Sequence, residues 1–103
     1  MSPFQRKKRF CREFSGASFY KPSGIPLSRL PITILDLDEM EAMHLCDFED
    51  LNQTEAAQRM NISTGTLQRL LYSGRKKLID AIYTSKAIKI DRHEDIEELK
   101  GGE

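Results

Sequence analysis

Residues 53–72 read QTEAAQRMNISTGTLQRLLY, and the spacing inside this stretch decides the fold. Ala57 falls where two helices would cross closely, a place that needs a small side chain. Asn61 and Ile62 sit at the turn between those helices. Leu67 and Leu70 return to the core three residues apart, on one side of the following helix. The residues between and around them, Gly65, Gln68, Arg69 and Tyr72, point the other way. A helix held on a rigid elbow with a polar outer face meets the geometric needs of reading base edges. The stretch is therefore expected to be a helix-turn-helix that lays its second helix in the DNA major groove.

Working outward, Asn52 is the expected cap of the first helix of this pair, with Glu55 as its capping-box partner. That helix is expected to run to about Met60. Asn61 then ends it, because asparagine is the next-best residue after glycine for a left-handed backbone. Ser63 caps the next helix, which is expected to reach about Thr84. Leu67, Leu70, Leu71, Gly74, Leu78, Ala81 and Ile82 form its core stripe. Glycine inside a helix costs roughly 1 kcal/mol against alanine. Gly74 on the core stripe predicts close helix packing, and Gly65 on the outer face predicts close approach of a phosphate backbone.

An earlier helix is expected to begin at Asp38, with Glu41 completing its box and Met40, Met43, Leu45 and Cys46 wedged between neighbours. It should end near residues 47–50. Residues 17–21 (ASFYK), 32–35 (ITIL) and 87–90 (AIKI) have strand composition, and the first and last of these are expected to pair. Residues 1–16 read as a flexible basic arm, residues 17–90 as the folded domain, and residues 91–103 as a frayed acidic tail with at most one weak helical turn. The expected fold is mainly α, a three-helix helix-turn-helix domain with short extended segments near both ends.

With 103 residues, the chain makes one domain at most. Its formal net charge of zero conceals four blocks. Residues 1–30 hold seven Lys/Arg against one acid (+6), and residues 31–58 hold eight acids and no Lys/Arg (−8). Residues 59–90 hold seven bases against one acid (+6), and residues 91–103 hold six acids against two bases (−4). Nucleic acid meets these local fields rather than their sum. No apolar run approaches a membrane span, and the N-terminus lacks the apolar centre of a signal peptide, so a cytoplasmic protein without a membrane partner is expected. Cys11 and Cys46 form no CxxC pair, and both are expected as reduced thiols.

In the groove-binding reading, Arg69 pairs bidentately with guanine O6 and N7, and Gln68 with adenine N6 and N7. Ser63, Thr64 and Thr66 stand at the helix start, where hydroxyls and N–H groups hold phosphate. Arg75, Lys76 and Lys77 meet the backbone further along, and Gly65 and Tyr72 complete the surface. Arg6, Lys7, Lys8, Arg9 and Arg12 form an arm that follows the duplex or enters the minor groove. Catalysis has no motif to support it. His44 and His93 lie in different regions, and Asp36 and Asp38 serve better as helix-start charges. His44 and Cys46 diverge by about 200° on a helix, so no metal site or cofactor is expected. Two other readings compete. One is a module docking RNA polymerase or another regulator through acidic block 36–55. The other is a sensor built on Cys11 and Cys46.

Several blocks together carry a family resemblance. They are Phe19-Tyr20-Lys21-Pro22 with Gly24-Ile25-Pro26-Leu27, then Leu37-Asp38-Glu39-Met40-Glu41-Ala42, then Gln53-Thr54-Glu55-Ala56-Ala57. Met60, Ile62-Ser63, Thr66-Leu67, Arg75-Lys76-Lys77 and Lys86-Ala87-Ile88-Lys89-Ile90 continue the match. From Cys11 to Ile90 the chain resembles a small prokaryotic family of uncharacterised proteins predicted to bind DNA. Their helix-turn-helix is similar to the promoter-reading fourth region of sigma factors. The resemblance implies an accessory transcription factor, and some such proteins carry a C-terminal domain resembling those that bind iron–molybdenum cofactor. The chain departs from the pattern at Gly65, where a longer polar or basic residue is usual, and at Asn61, which replaces a turn glycine. The sequence reading is sequence-specific binding of double-stranded DNA by a transcriptional regulator, with a homodimer expected because palindromic sites favour paired domains.

Overall fold

The computed structural model describes residues 8–14, 16–92 and 96–99. Its elements in chain order are β1 (Arg9–Arg12), β2 (Phe19–Tyr20), β3 (Ile32–Asp36), α1 (Leu37–Met43), α2 (Gln53–Met60), α3 (Thr64–Tyr83), β4 (Ala87–Asp91) and β5 (Ile96–Leu99). A single wide helical turn, His44–Phe48, extends α1. Three helices therefore form as expected, but the extended segments are more substantial than a mainly α fold implied.

The strands make two small sheets. In one, β4 lies between β2 and β3, antiparallel to β2 and parallel to β3. Phe19 pairs with Lys89 and Tyr20 with Ile88, so the expected union of the two ends of the domain occurs. In the other, β1 and β5 run parallel, with Cys11 opposite Glu98. Two expectations fail here. Residues 9–12 are not part of a loose arm, and residues 96–99 are neither frayed nor helical. Each is a short strand that satisfies its backbone groups on the other, a pairing between distant residues that no local pattern announces.

The caps follow local chemistry. Asn52 Oδ1 accepts from the N–H of Glu55 at 2.8 Å, and Glu55 Oε1 accepts from the N–H of Asn52 at 3.0 Å. Asn61 ends α2 at φ 59° and ψ 42°, the left-handed conformation its position requires. Ser63 Oγ accepts from the N–H of Thr66 at 3.1 Å and opens α3. The first helix is offset from its expected start: Asp36 is its cap, and Glu39 Oε1 accepts from the N–H of Asp36 at 2.9 Å. The segment holds two overlapping box patterns, Asp36/Glu39 and Asp38/Glu41. The first one forms, and Asp38 and Glu41 are engaged by arginines of β1.

The core gathers Leu35, Leu37, Ala42, Leu45, Ala56, Ala57, Met60, Leu67, Leu71 and Ile90, with Cys11 against them. Ala57, on α2, is buried in the core. Gly74 is buried where α3 meets α1, and an added Cβ would lie 3.0 Å from Met43 Cε and 3.2 Å from Glu39 Cβ. Ile82, by contrast, is 65% exposed and leaves the core stripe. It lines an open cleft with Tyr20, Pro22 and Ile88 instead.

Candidate nucleic-acid interface

Helix α2, the left-handed Asn61 and the Ser63 cap set where α3 begins, and the outward side of its first turns carries the expected reading residues. Gln68, Arg69 and Tyr72 are all exposed, with Tyr72 at 68%. Had they been packed inside, the groove-reading expectation would have ended here. Gln68 Nε2 donates to Gln53 Oε1 at 2.9 Å, which steadies it from α2. Arg69 Nη2 donates to Thr66 Oγ1 at 3.1 Å, and Thr66 Oγ1 also accepts from Ser63 Oγ at 2.9 Å. Ser63, Thr66 and Arg69 thus form a chain of hydrogen bonds at the positive end of α3. Thr64 lies in the first turn of the same helix. Gly65 sits in open space, where a Cβ would have only Arg69 Nη1 at 3.8 Å and Ser63 Oγ at 4.0 Å near it. Packing does not require glycine there, so its effect is to bare the backbone between Ser63 and Gln68.

The cations further along α3 divide. Lys76 is exposed and lies 5.8 Å from the Tyr72 ring centroid. Arg75 forks onto Asp47, with Nη2 to Oδ1 at 2.7 Å and Nε to Oδ2 at 3.1 Å. That hydrogen bond raises the guanidinium pKa. Lys77 turns toward α1 and gives its ammonium to buried Glu39 at 2.8 Å, so its expected place on the phosphate-facing side is corrected. The Glu39 carboxylate also accepts from Ser73 Oγ and from the N–H of Asp36. A buried charge persists only with such partners.

The arm needs the larger correction. Arg9 pairs with Asp38, and their side chains are 12% and 4% exposed. Arg12 pairs with Glu41 and Glu49 and hydrogen-bonds His44 Nδ1. Both arginines are thus engaged by carboxylates of the same chain. Lys8 is exposed beside the α2–α3 turn, where its carbonyl accepts from Asn61 Nδ2 at 3.3 Å. Arg6 and Lys7 lie outside the described residues. Gln53 and Asn61 were not among the expected site residues. Their sequence signal was only structural, a first-turn glutamine and a turn asparagine, and only packing brings each to its partner.

Burial pushes the Cys11 thiol up to about 12, and Glu41, Asp38 and Glu98 add to the effect. Burial also raises Cys46, with Asp47 adding to it. Both thiols are held in the protonated form, opposite to an activated cysteine. Among the described residues no group of three or more His, Cys, Asp or Glu is placed to hold a metal ion. No described helix is long and apolar enough to cross a membrane.

The chain belongs to the family described as "Protein of unknown function DUF134", whose model matches residues 2–98. It is 46% identical over 89 residues to UPF0251 protein DET0218 of Dehalococcoides mccartyi, which covers 86% of this chain and 76% of that protein. It is 40% identical over 89 residues to UPF0251 protein TTE1845 of Caldanaerobacter subterraneus, covering 86% of this chain and 75% of that one. A UPF0251 protein of Prosthecochloris aestuarii is 38% identical over 100 residues, covering 91% of this chain and 64% of its own length. No solved structure matches. Membership of a prokaryotic family of uncharacterised proteins is as the sequence blocks implied.

Proposed function

We propose that this protein binds double-stranded DNA with sequence preference, as a transcriptional regulator. In this reading α2, Asn61 and α3 act as a helix-turn-helix, and α3 enters the major groove. The observation that carries it is the outward side of α3. Gln68, Arg69 and Tyr72 stand exposed on a helix braced from behind by α2 and α1. The resemblance read in the sequence to the fourth region of sigma factors implies the same arrangement. Arg69 and Gln68 read base edges, the Ser63–Thr66 end of α3 receives a phosphate, and Lys76 and Lys8 add electrostatic affinity. Paired half-sites would call for a homodimer.

The rival docking surface is weakened by its own partners. Asp38, Glu39, Glu41, Asp47 and Glu49 are all engaged by cations of the same chain. Four cations, Arg9, Arg12, Arg75 and Lys77, thus offset half of the eight acids in the block and reduce the field it presents to RNA polymerase or any other partner.

The deciding experiment is binding to random-sequence duplex across a salt series, followed by selection of preferred sites. A steep loss of affinity with salt supports DNA binding, and no binding at any salt refutes it. Arg69→Ala should cost roughly 1–3 kcal/mol on the selected site and relax preference at one base pair. Equal weakening on every sequence would make Arg69 a phosphate contact.

A further inference from the structure

We propose that the second half of α3 pairs antiparallel with the same segment of a second copy, and that this pairing sets the spacing of two DNA half-sites. The spacing rests on the DNA-binding reading above; the pairing does not. At 1.5 Å per residue, the 20 residues of α3 span about 30 Å. The reading turns at Gln68 and Arg69 use only the first part of that length. In the second part Gly74 and Ala81 are buried, while Ile79, Ile82 and Tyr83 stand exposed, Tyr83 at 84%. Spacings of three and four residues put these three side chains on one face. The isoleucines carry no donor for phosphate, and a branched side chain suits an exposed helix position less well than lysine or glutamate does. Ile82 continues the face into the open cleft with Tyr20, which is itself 56% exposed.

Area and charge both fit a second copy. Ile79, Ile82, Tyr83 and Tyr20 together expose on the order of 500 Å², most of it apolar. The aliphatic stems of Arg75 and Lys76 border the same face and extend it. The sum approaches the roughly 600 Å² per partner at which stable interfaces begin. Under a two-fold axis such a face is its own complement. Charge chooses the direction of pairing. Arg75 and Lys76 lie on the N-terminal side of Ile79, and Asp80 lies on its C-terminal side. Parallel pairing would set Lys76 against Lys76. Antiparallel pairing about Ile79 sets each Lys76 within one turn of Asp80 on the other copy. Asp80 holds Lys86 at 2.7 Å, and its side chain is 45% exposed, so a second cation can reach it at the rim. The same arrangement places the two Gln68–Arg69 turns about 32 Å apart along the paired helices. One turn of duplex, the separation of paired half-sites, is about 34 Å.

The test uses the full chain, Ile79→Glu, Ile82→Glu and, in a Cys46→Ser background, Ile79→Cys and Gln58→Cys. Sedimentation velocity over a concentration series measures self-association without DNA, and circular dichroism checks folding. The parent should sediment as a dimer at the higher concentrations. Each glutamate variant should keep the parental fold and dissociate at about thirtyfold higher concentration or more, because a two-fold contact suffers the change twice. A short bismaleimide should join Ile79→Cys to itself and leave Gln58→Cys, exposed on α2, as single chains. Should a glutamate variant lose its fold, the cross-linking pair decides the matter. Sites that the parent selects from random duplex should hold two half-sites centred about 10 base pairs apart. A parent that stays monomeric at every concentration, a dimer that survives both glutamates, or cross-linking at Gln58→Cys alone would overturn the pairing while leaving DNA binding intact. Half-sites at another spacing would overturn the antiparallel geometry. A parent that pairs through Ile79 but binds no duplex at any salt supports the contact and overturns the functional reading, and the half-site spacing with it.

Discussion

Replacing Arg9 by methionine keeps the aliphatic stem and removes the charge, and the structure sets the expected size of the loss. The Asp38 side chain is 4% exposed and its Oδ2 accepts from Arg9, while Oδ1 has no hydrogen-bond partner. Arg9 is thus the donor this carboxylate depends on, and Arg9→Met leaves a buried charge uncompensated. Breaking a buried pair in this way costs about 3–5 kcal/mol, set against about 5–15 kcal/mol for the stability of a typical domain. With a urea slope of about 1–2 kcal/mol per molar, the midpoint should fall by roughly 1.5–5 M. Urea unfolding followed by far-ultraviolet circular dichroism at neutral pH measures it. The double variant Arg9→Met/Asp38→Leu should recover most of the loss, because an apolar pair of similar volume removes the orphaned charge. A midpoint within about 0.5 M of the parent, or a double variant less stable than Arg9→Met, would refute this account of β1 anchoring. The salt slope of DNA binding should not change in a folded Arg9→Met protein, since this arginine points inward.

Three further outcomes are expected. Asp47→Asn releases Arg75 from an exposed pair of little intrinsic worth, so fluorescence anisotropy should find tighter DNA binding, by several-fold, and a salt slope steeper by about one. The Arg12 hydrogen bond holds the Glu49 carboxyl below its ordinary value, with the Arg12 charge adding to it. A depressed folded value means the stabilising contribution is present above the unfolded value and lost as pH falls through the folded one. In Arg12→Ala the Glu49 titration seen by NMR should therefore move upward and that acid-side dependence should vanish. Gly74→Val forces a branched side chain against Glu39 Cβ and Met43, and thermal unfolding should show a loss of about 1–3 kcal/mol through overpacking.

The sequence by itself determined what depends on neighbours a few residues apart. Asn52 with Glu55, Asn61 at its left-handed turn, Ser63 at the start of α3 and the Leu67–Leu71 stripe were all legible, because caps and helical faces repeat within one turn. The start of α1 was not, because two overlapping box patterns compete locally. In the fold Asp36 and Glu39 close the box, while Asp38 and Glu41 pair with Arg9 and Arg12. The same limit explains the candidate site. Exposure of Gln68, Arg69 and Tyr72 follows from periodicity, whereas a cation's availability depends on which carboxylate the fold brings beside it. Arg9 and Asp38 are 29 residues apart, Arg75 and Asp47 are 28 apart, and Lys77 and Glu39 are 38 apart. Only tertiary packing could decide that Arg9, Arg12 and Lys77 hold the molecule together while Lys8 and Lys76 face outward. A charge on a flexible stem takes whichever opposite charge the packed helices and strands place within reach.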